Sequence, residues 1–221
     1  MHFDLHHVHR WDVSPKEAVA IQRRLAPIVR EEPLARPVKT IAGIDVSIRG
    51  DRAQAAVAVV RLPDLVVIDQ AVWRDRVPFP YVPGLLSFRE MPVLLPALER
   101  LTVRPDVLMT DSQGCAHPRR FGLACHLGVL LNWPTMGVAK TRFIGTHGEP
   151  GAEKGSRSPL YDKGEVIGTV LRTRANIKPV YVSVGHRIML DEAVALTLAC
   201  SPRYKIPEPT RQAHILSRVE P

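Results

Sequence analysis

Two aspartates in this chain stand where a negative charge is costly. Asp45 falls inside the apolar run Ile41-Ala42-Gly43-Ile44-Asp45-Val46, and a carboxylate in such a strand needs something that offsets its burial. A metal ion would do so; backbone amides at a bulge would also. Asp111 ends the run Asp106-Val107-Leu108-Met109-Thr110, and open α/β sheets bind ligands beyond the carboxyl ends of their strands. A turn or helix-entry aspartate is the plainer reading of that position. Glu90 would join the pair from a crossover segment, although Ser87-Phe88-Arg89-Glu90 also spells a helix capping box. Three convergent carboxylates suit a hard cation such as Mg²⁺, which takes few protein oxygens and keeps water and phosphate oxygens. The chemistry this favours is phosphodiester hydrolysis, with a water oriented and deprotonated and charge on the leaving oxygen stabilised.

Other residues fit a nucleic-acid substrate. Lys140 ends the strand Met136-Gly137-Val138-Ala139 on the same side of the sheet as Asp111, in reach of a phosphate, and His214 in the C-terminal tail is in reach of the metal region. A surface lysine and a solvated histidine are the alternatives. The loop from Ser112 to Gly122 joins glycine, His117, Arg119 and Arg120 at a helix entry, which reads as an anion-binding surface or as an ordinary connection. Pro78-Phe79-Pro80-Tyr81-Val82-Pro83-Gly84 is stiff and displays aromatics that would wedge into or stack on bases, or is a structural proline loop. His126 reads as a packed core residue, and His2, His6, His7 and His9 as a mobile terminus without metal spacing. Cys115, Cys125 and Cys200 are too few and too widely spaced for a disulfide framework or a zinc site, and read as buried thiols.

The elements that must position these residues follow from periodicity. Ser14-Pro15-Lys16-Glu17 predicts a capped helix from Pro15 to about Val29. Thr40 to Ile48, Gln54 to Leu62 and Leu65 to Val77 are β-branched runs with short connections, an antiparallel meander. Leu94, Leu98 and Leu101 recur at helical spacing, with Pro92 tolerable only in a first turn. Asp106 to Ser112, Phe121 to Asn132 and Thr135 to Lys140 read as strand, helix, strand, a parallel crossover unit. Gly145 to Gly164 reads as an exposed loop; strands at Val166 to Arg174 and Val180 to Val184, then helices near Leu190 to Ala199 and Thr210 to Val219, complete the chain. This order predicts one α/β domain over residues 1–221, a ribonuclease-H-like mixed sheet in which an antiparallel three-strand meander is followed by parallel strands, with helices on both faces.

Composition sets the class. Lys and Arg number 30 against 22 Asp and Glu, a net charge of +8 that calls for an anionic partner, and 45% hydrophobic residues support a packed core. No apolar stretch approaches the ~18 residues of a membrane span, and the N-terminus lacks the pattern of a secretory signal, so a cytoplasmic protein is expected.

In their order, these blocks resemble the endonuclease V family of deaminated-base repair nucleases. The resemblance rests on Gly43-Ile44-Asp45-Val46-Ser47, Tyr81 through Glu90, Gln113 through Gly122, Gly137-Val138-Ala139-Lys140, Tyr181 through His186 and Pro207-Glu208-Pro209-Thr210-Arg211, and spans about Trp11 to His214. It implies a Mg²⁺-dependent endonuclease, with Mn²⁺ as a substitute, that recognises deoxyinosine in DNA and cuts the second phosphodiester on its 3′ side, leaving 3′-hydroxyl and 5′-phosphate ends. By the same resemblance Asp45, Asp111 and Glu90 hold the metal, and His214 and Lys140 assist. Tyr81, with Pro80, Val82 and Pro83, forms a wedge that fills the space left by the extruded base; Gly84, Leu85, Gly114, His117 and Gly122 shape the lesion pocket. A monomer is expected. The family usually has glycine where this chain has Ser112, so the pocket is expected to be narrower or Asp111 shifted. Inosine-containing RNA and other deaminated bases are alternative substrates, and a catalytically impaired nucleic-acid-binding module is the alternative from another class.

Overall fold

The computed structural model describes residues 3–219, so His2 lies outside it. The first helix, α1 (Pro15–Leu25), opens with the expected capping box: Ser14 Oγ accepts from the Glu17 N–H, and Glu17 Oε2 accepts from the Ser14 N–H at 2.8 Å. A 3-10 turn at Ala26–Ile28 ends it short of Val29. The meander follows as β1 (Thr40–Arg49), β2 (Arg52–Arg61) and β3 (Val67–Arg76), antiparallel throughout. Next come α2 (Leu86–Glu99), β4 (Val107–Thr110), α3 (Leu123–Leu131) and β5 (Thr135–Ala139). β4 and β5 are short and fully buried, and they extend the sheet from β1 in parallel.

Three further strands, β6 (Arg157–Asp162), β7 (Glu165–Leu171) and β8 (Val180–His186), return antiparallel, giving one sheet in the order β3-β2-β1-β4-β5-β8-β7-β6. β6 lies in the stretch expected to be a loop. Its exposed, polar residues hid it, since an edge strand buries only one side and here only Leu160 is buried.

Helices α2 and α3 cover one face, where Met91, Leu94 and Leu98 meet Ala42, Ile44, Val57 and Leu108. α4 (Leu190–Ala199) and α5 (Glu208–Leu216) cover the other; Ala193 and Val194 join a cluster with Ile41, Met109 and Val182. α3 is buried all round because both the sheet and α1 close on it, matching its nearly unbroken apolar sequence. Pro92 sits beyond the first turn of α2, and Pro96 lies deeper still. Starting the helix at Leu86 brings Glu90 into it, at the cost of hydrogen bonds the two prolines cannot donate.

Candidate metal centre and nucleic-acid interface

Alternation along β1 turns Gly43 and Asp45 to the face covered by α5. A Cβ at Gly43 would fall 1.9 Å from the Pro209 carbonyl carbon, so only glycine admits this helix so close. The close approach carries α5 past Asp45. Ser217 Oγ donates to Asp45 Oδ2 at 2.5 Å, and His214 Nδ1 lies 3.3 Å from the same oxygen. Asp111 follows the end of β4, where its N–H reaches the Ile44 carbonyl, and its carboxylate forms an ion pair with Lys140 just past β5.

Asp45, Asp111 and His214 thereby bring one ligand atom each within 4.8 Å of one another. Glu90, on α2, is not one of these three but lies near enough to feel the charges of Asp45 and Asp111. Its carboxyl is pushed up to about 8, first by burial and then by the negative charges of Asp45 and Asp111. Burial also raises the Asp111 carboxyl, against the lowering effect of Lys140. Carboxylates that burden one another in this way, beside an imidazole nitrogen, form a donor set that fits a divalent cation. The capping-box reading of Glu90 fails: Leu85 is the N-cap and no side chain caps it, while Ser87 Oγ is hydrogen-bonded to His126 Nδ1 at 2.8 Å.

A cavity of about 430 Å³ opens beside this cluster and shares Asp111 with it, with Lys140, the ion-pair partner of Asp111, also in its wall. Residues Pro80 to Leu85 form one wall, and Ser112, Gln113, His117, Gly122 and Phe143 contribute elsewhere. Tyr81 stands out at the rim, 73% exposed, while Phe79 beneath it is buried against Phe88. The turn is held at the Gly84 carbonyl, which accepts from Gln22 Nε2, His117 Nε2 and Arg119 at 3.0, 3.0 and 2.7 Å. Gly84 has φ +82°, and a side chain there would run into the Arg119 guanidinium. Gln113 Oε1 is buried with no hydrogen-bond partner, although its Nε2 donates to the Thr141 carbonyl.

Against known proteins, the sequence pattern of Endonuclease V matches residues 23–215. This chain belongs to the Endonuclease V family. It is 48% identical to the Endonuclease V of Trichormus variabilis over 212 residues, 95% of this chain and 96% of that one. The crystal structure of Endonuclease V from Streptomyces avermitilis superposes with a TM-score of 0.90 at 46% identity, covering 94% of this chain and 93% of that one. Ciona intestinalis Endonuclease V, crystallised with a 24-mer DNA containing an inosine followed by a ribo-adenosine, matches at a TM-score of 0.81 and 26% identity, over 92% and 95% of the two chains. The family is a nuclease family, and among the described residues no helix is long and apolar enough to cross a membrane.

Several residues sit differently from their sequence-based expectation. The loop from Ser112 to Gly122 does not present its cations to an anion: Arg119 turns inward to Gln22 and Gly84, and Arg120 pairs with Asp162 at 2.8 Å and with Glu165. His117 accepts from the Arg119 N–H at Nδ1, so its proton sits on Nε2 and goes to Gly84. It holds the turn at Gly84. Gly114 lies outside the cavity wall, packed where a Cβ would strike the Val184 carbonyl at 2.0 Å. Ser112 Oγ is hydrogen-bonded to Thr110 Oγ1 at 2.8 Å, along the strand end that carries Asp111. His9 is pinned, its Nε2 2.7 Å from His126 Nε2, so the N-terminal histidines are not all a loose tail. Ser217 and Gln22 carried no signal in the sequence, because each acts through a partner distant in the chain.

Proposed function

We propose that this protein is a Mg²⁺-dependent deoxyinosine endonuclease that hydrolyses the second phosphodiester 3′ to the lesion, leaving 3′-hydroxyl and 5′-phosphate ends. The observation that carries the reading is the shared wall: Asp111 belongs both to the donor cluster and to the cavity under Tyr81, and Lys140, its ion-pair partner, lines the same cavity. A base lodged in that cavity stays tethered close to the bond being cut. In the cluster, Asp45, Asp111, Glu90 and His214 would hold the metal, which when bound supplies Lewis acidity and a more acidic water. Lys140 offers a positive charge to the phosphate, and Tyr81, exposed on a proline-stiffened turn, occupies the gap in the base stack. His117, Gln22 and Arg119 keep that turn rigid.

Base selection is supported by the orphaned Gln113 oxygen. Hypoxanthine offers an N1–H donor where adenine has an acceptor, so an unpartnered acceptor on Gln113, a residue of the cavity wall, would favour hypoxanthine over adenine once turned toward the base. The intact donor cluster weighs against a binding module without turnover. An RNA-directed activity has one observation in its favour, the ribo-adenosine after the inosine in the nucleic acid bound by the Ciona relative. Action as a single-domain monomer in the cytoplasm is part of the proposal. Cutting and binding measured side by side on deoxyinosine DNA, matched DNA and inosine RNA test it: preferential cutting of the deoxyinosine strand is expected. Cutting of RNA alone would move the enzyme to RNA, and binding without any cutting would favour the module.

A further inference from the structure

A second cleft, of about 250 Å³, opens on the other side of Asp45 from the base cavity. Among the described residues that line it are four arginines, Arg49, Arg52, Arg74 and Arg218, and one carboxylate, Asp75. Its floor is built across the meander: Ser47 on β1 lies opposite Gln54 on β2, which lies opposite Arg74 on β3. Gln54 Oε1 accepts from Arg74 Nε at 2.6 Å, and Gln54 Nε2 donates to the Leu216 and Val219 carbonyls at 3.0 Å, tying the sheet to the end of α5. Ser47 shares a strand face with Asp45, two residues away. Ser217 lines the cleft while its hydroxyl holds Asp45, so cleft and donor cluster are adjacent.

The sheet order therefore sets three sites in a row. The base cavity lies by β4 and β5, the donor cluster by β4 and β1, and the arginine cleft by β1, β2 and β3. We infer that this cleft binds the phosphate backbone of the cleaved strand on the 3′ side of the cut, the segment released with a 5′-phosphate. The assignment rests on the deoxyinosine reading, in which the base in the cavity lies 5′ of the cut, so the chain leaving Asp45 away from the cavity is the 3′ segment. Guanidinium groups match phosphate oxygens with paired donors, and Arg52 and Arg218 have no carboxylate partner among the described residues.

The test is a cycle of kcat/KM values for Mg²⁺-dependent nicking of deoxyinosine duplexes, crossing the double variant Arg52→Ala/Arg218→Ala with shortening of the strand to about two nucleotides beyond the cut. Each change alone is expected to cost about tenfold and both together also about tenfold, because they remove the same contacts. Shortening on the 5′ side should instead multiply with the double variant. Arg157→Ala, which loses one charge at the opposite edge strand β6, should cost less than twofold. Multiplying losses on the 3′ side, no loss in the double variant, or an equal loss in Arg157→Ala would overturn the cleft assignment. If the unaltered protein cut no deoxyinosine strand, the reading beneath the assignment would fall and the assignment with it.

Discussion

Gly43 and Pro209 touch so closely that even a methyl group between them would lie 1.9 Å from the Pro209 carbonyl carbon. This contact, on the same strand face as Asp45, sets the path of α5 and with it the positions of His214 and Ser217. Gly43→Ala is expected to push the helix off the sheet. It should cost about 1–3 kcal/mol of stability as an overpacked site, and nicking should fall more than tenfold because His214 and Ser217 leave Asp45. Denaturant unfolding and nicking rates on the same preparation check both effects; full activity would show that α5 does not need this contact.

The carboxylate cluster is costly without a cation, since burial and the charges of Asp45 and Asp111 push Glu90 up to about 8. Asp45→Asn should therefore leave stability unchanged or raise it slightly, while nicking falls by about a thousandfold or more. Thermal unfolding with and without Mg²⁺ gives a second readout. The unaltered protein should gain stability from the metal and the variant should gain little; equal gains would remove Asp45 from the site.

Tyr81 is exposed, so Tyr81→Ala is expected to alter stability by no more than about 0.5 kcal/mol. Its effect should fall on selection: the ratio of nicking rates on lesion and matched duplexes should drop by about tenfold, near the worth of one base stack. An equal loss on both duplexes would count against a wedge. His117→Leu, by contrast, removes a donor to the Gly84 carbonyl and should weaken both selection and rate by loosening the turn.

Three buried histidines give the fold an acid limit. Burial is the first cause in each: it holds His117 and His186 down to about 4, with the charges of Arg119 and Arg187 adding to it, and puts His126 well below its ordinary value. All three are neutral in the native state, whereas in the unfolded chain they take up protons near pH 6.5. Their contribution is thus present in full above about pH 6.5 and is lost as the pH falls toward about 4, on the order of 3 kcal/mol each for His117 and His186. The urea midpoint should fall between about pH 7.5 and 5, and His186→Gln should flatten that fall. A midpoint that stays level would contradict the buried neutral state.

Much of this architecture was legible because local patterns and tertiary packing agree. The Ser14 to Glu17 box, the meander and the crossover from β4 to β5 each carry their own spacing or turn signals. Asp45 and Asp111 stood out because each charge interrupts or ends an apolar run. β6 was missed because an edge strand with one buried residue resembles a loop. Arg119 and Arg120 looked like anion ligands because sequence does not show that the Gly84 carbonyl and Asp162 take them. Ser217 and Gln113 matter only through where the fold brings them, one against Asp45 and the other beside the cavity.

The most direct test of the account is the position and metal dependence of the cut in an end-labelled duplex carrying a single deoxyinosine. With Mg²⁺ the account predicts one nick in the lesion strand, one nucleotide beyond the deoxyinosine on its 3′ side, with no nick in EDTA or with Asp111→Asn. A nick elsewhere, cutting of the matched duplex at the same rate, or undiminished cutting by the variant would contradict it.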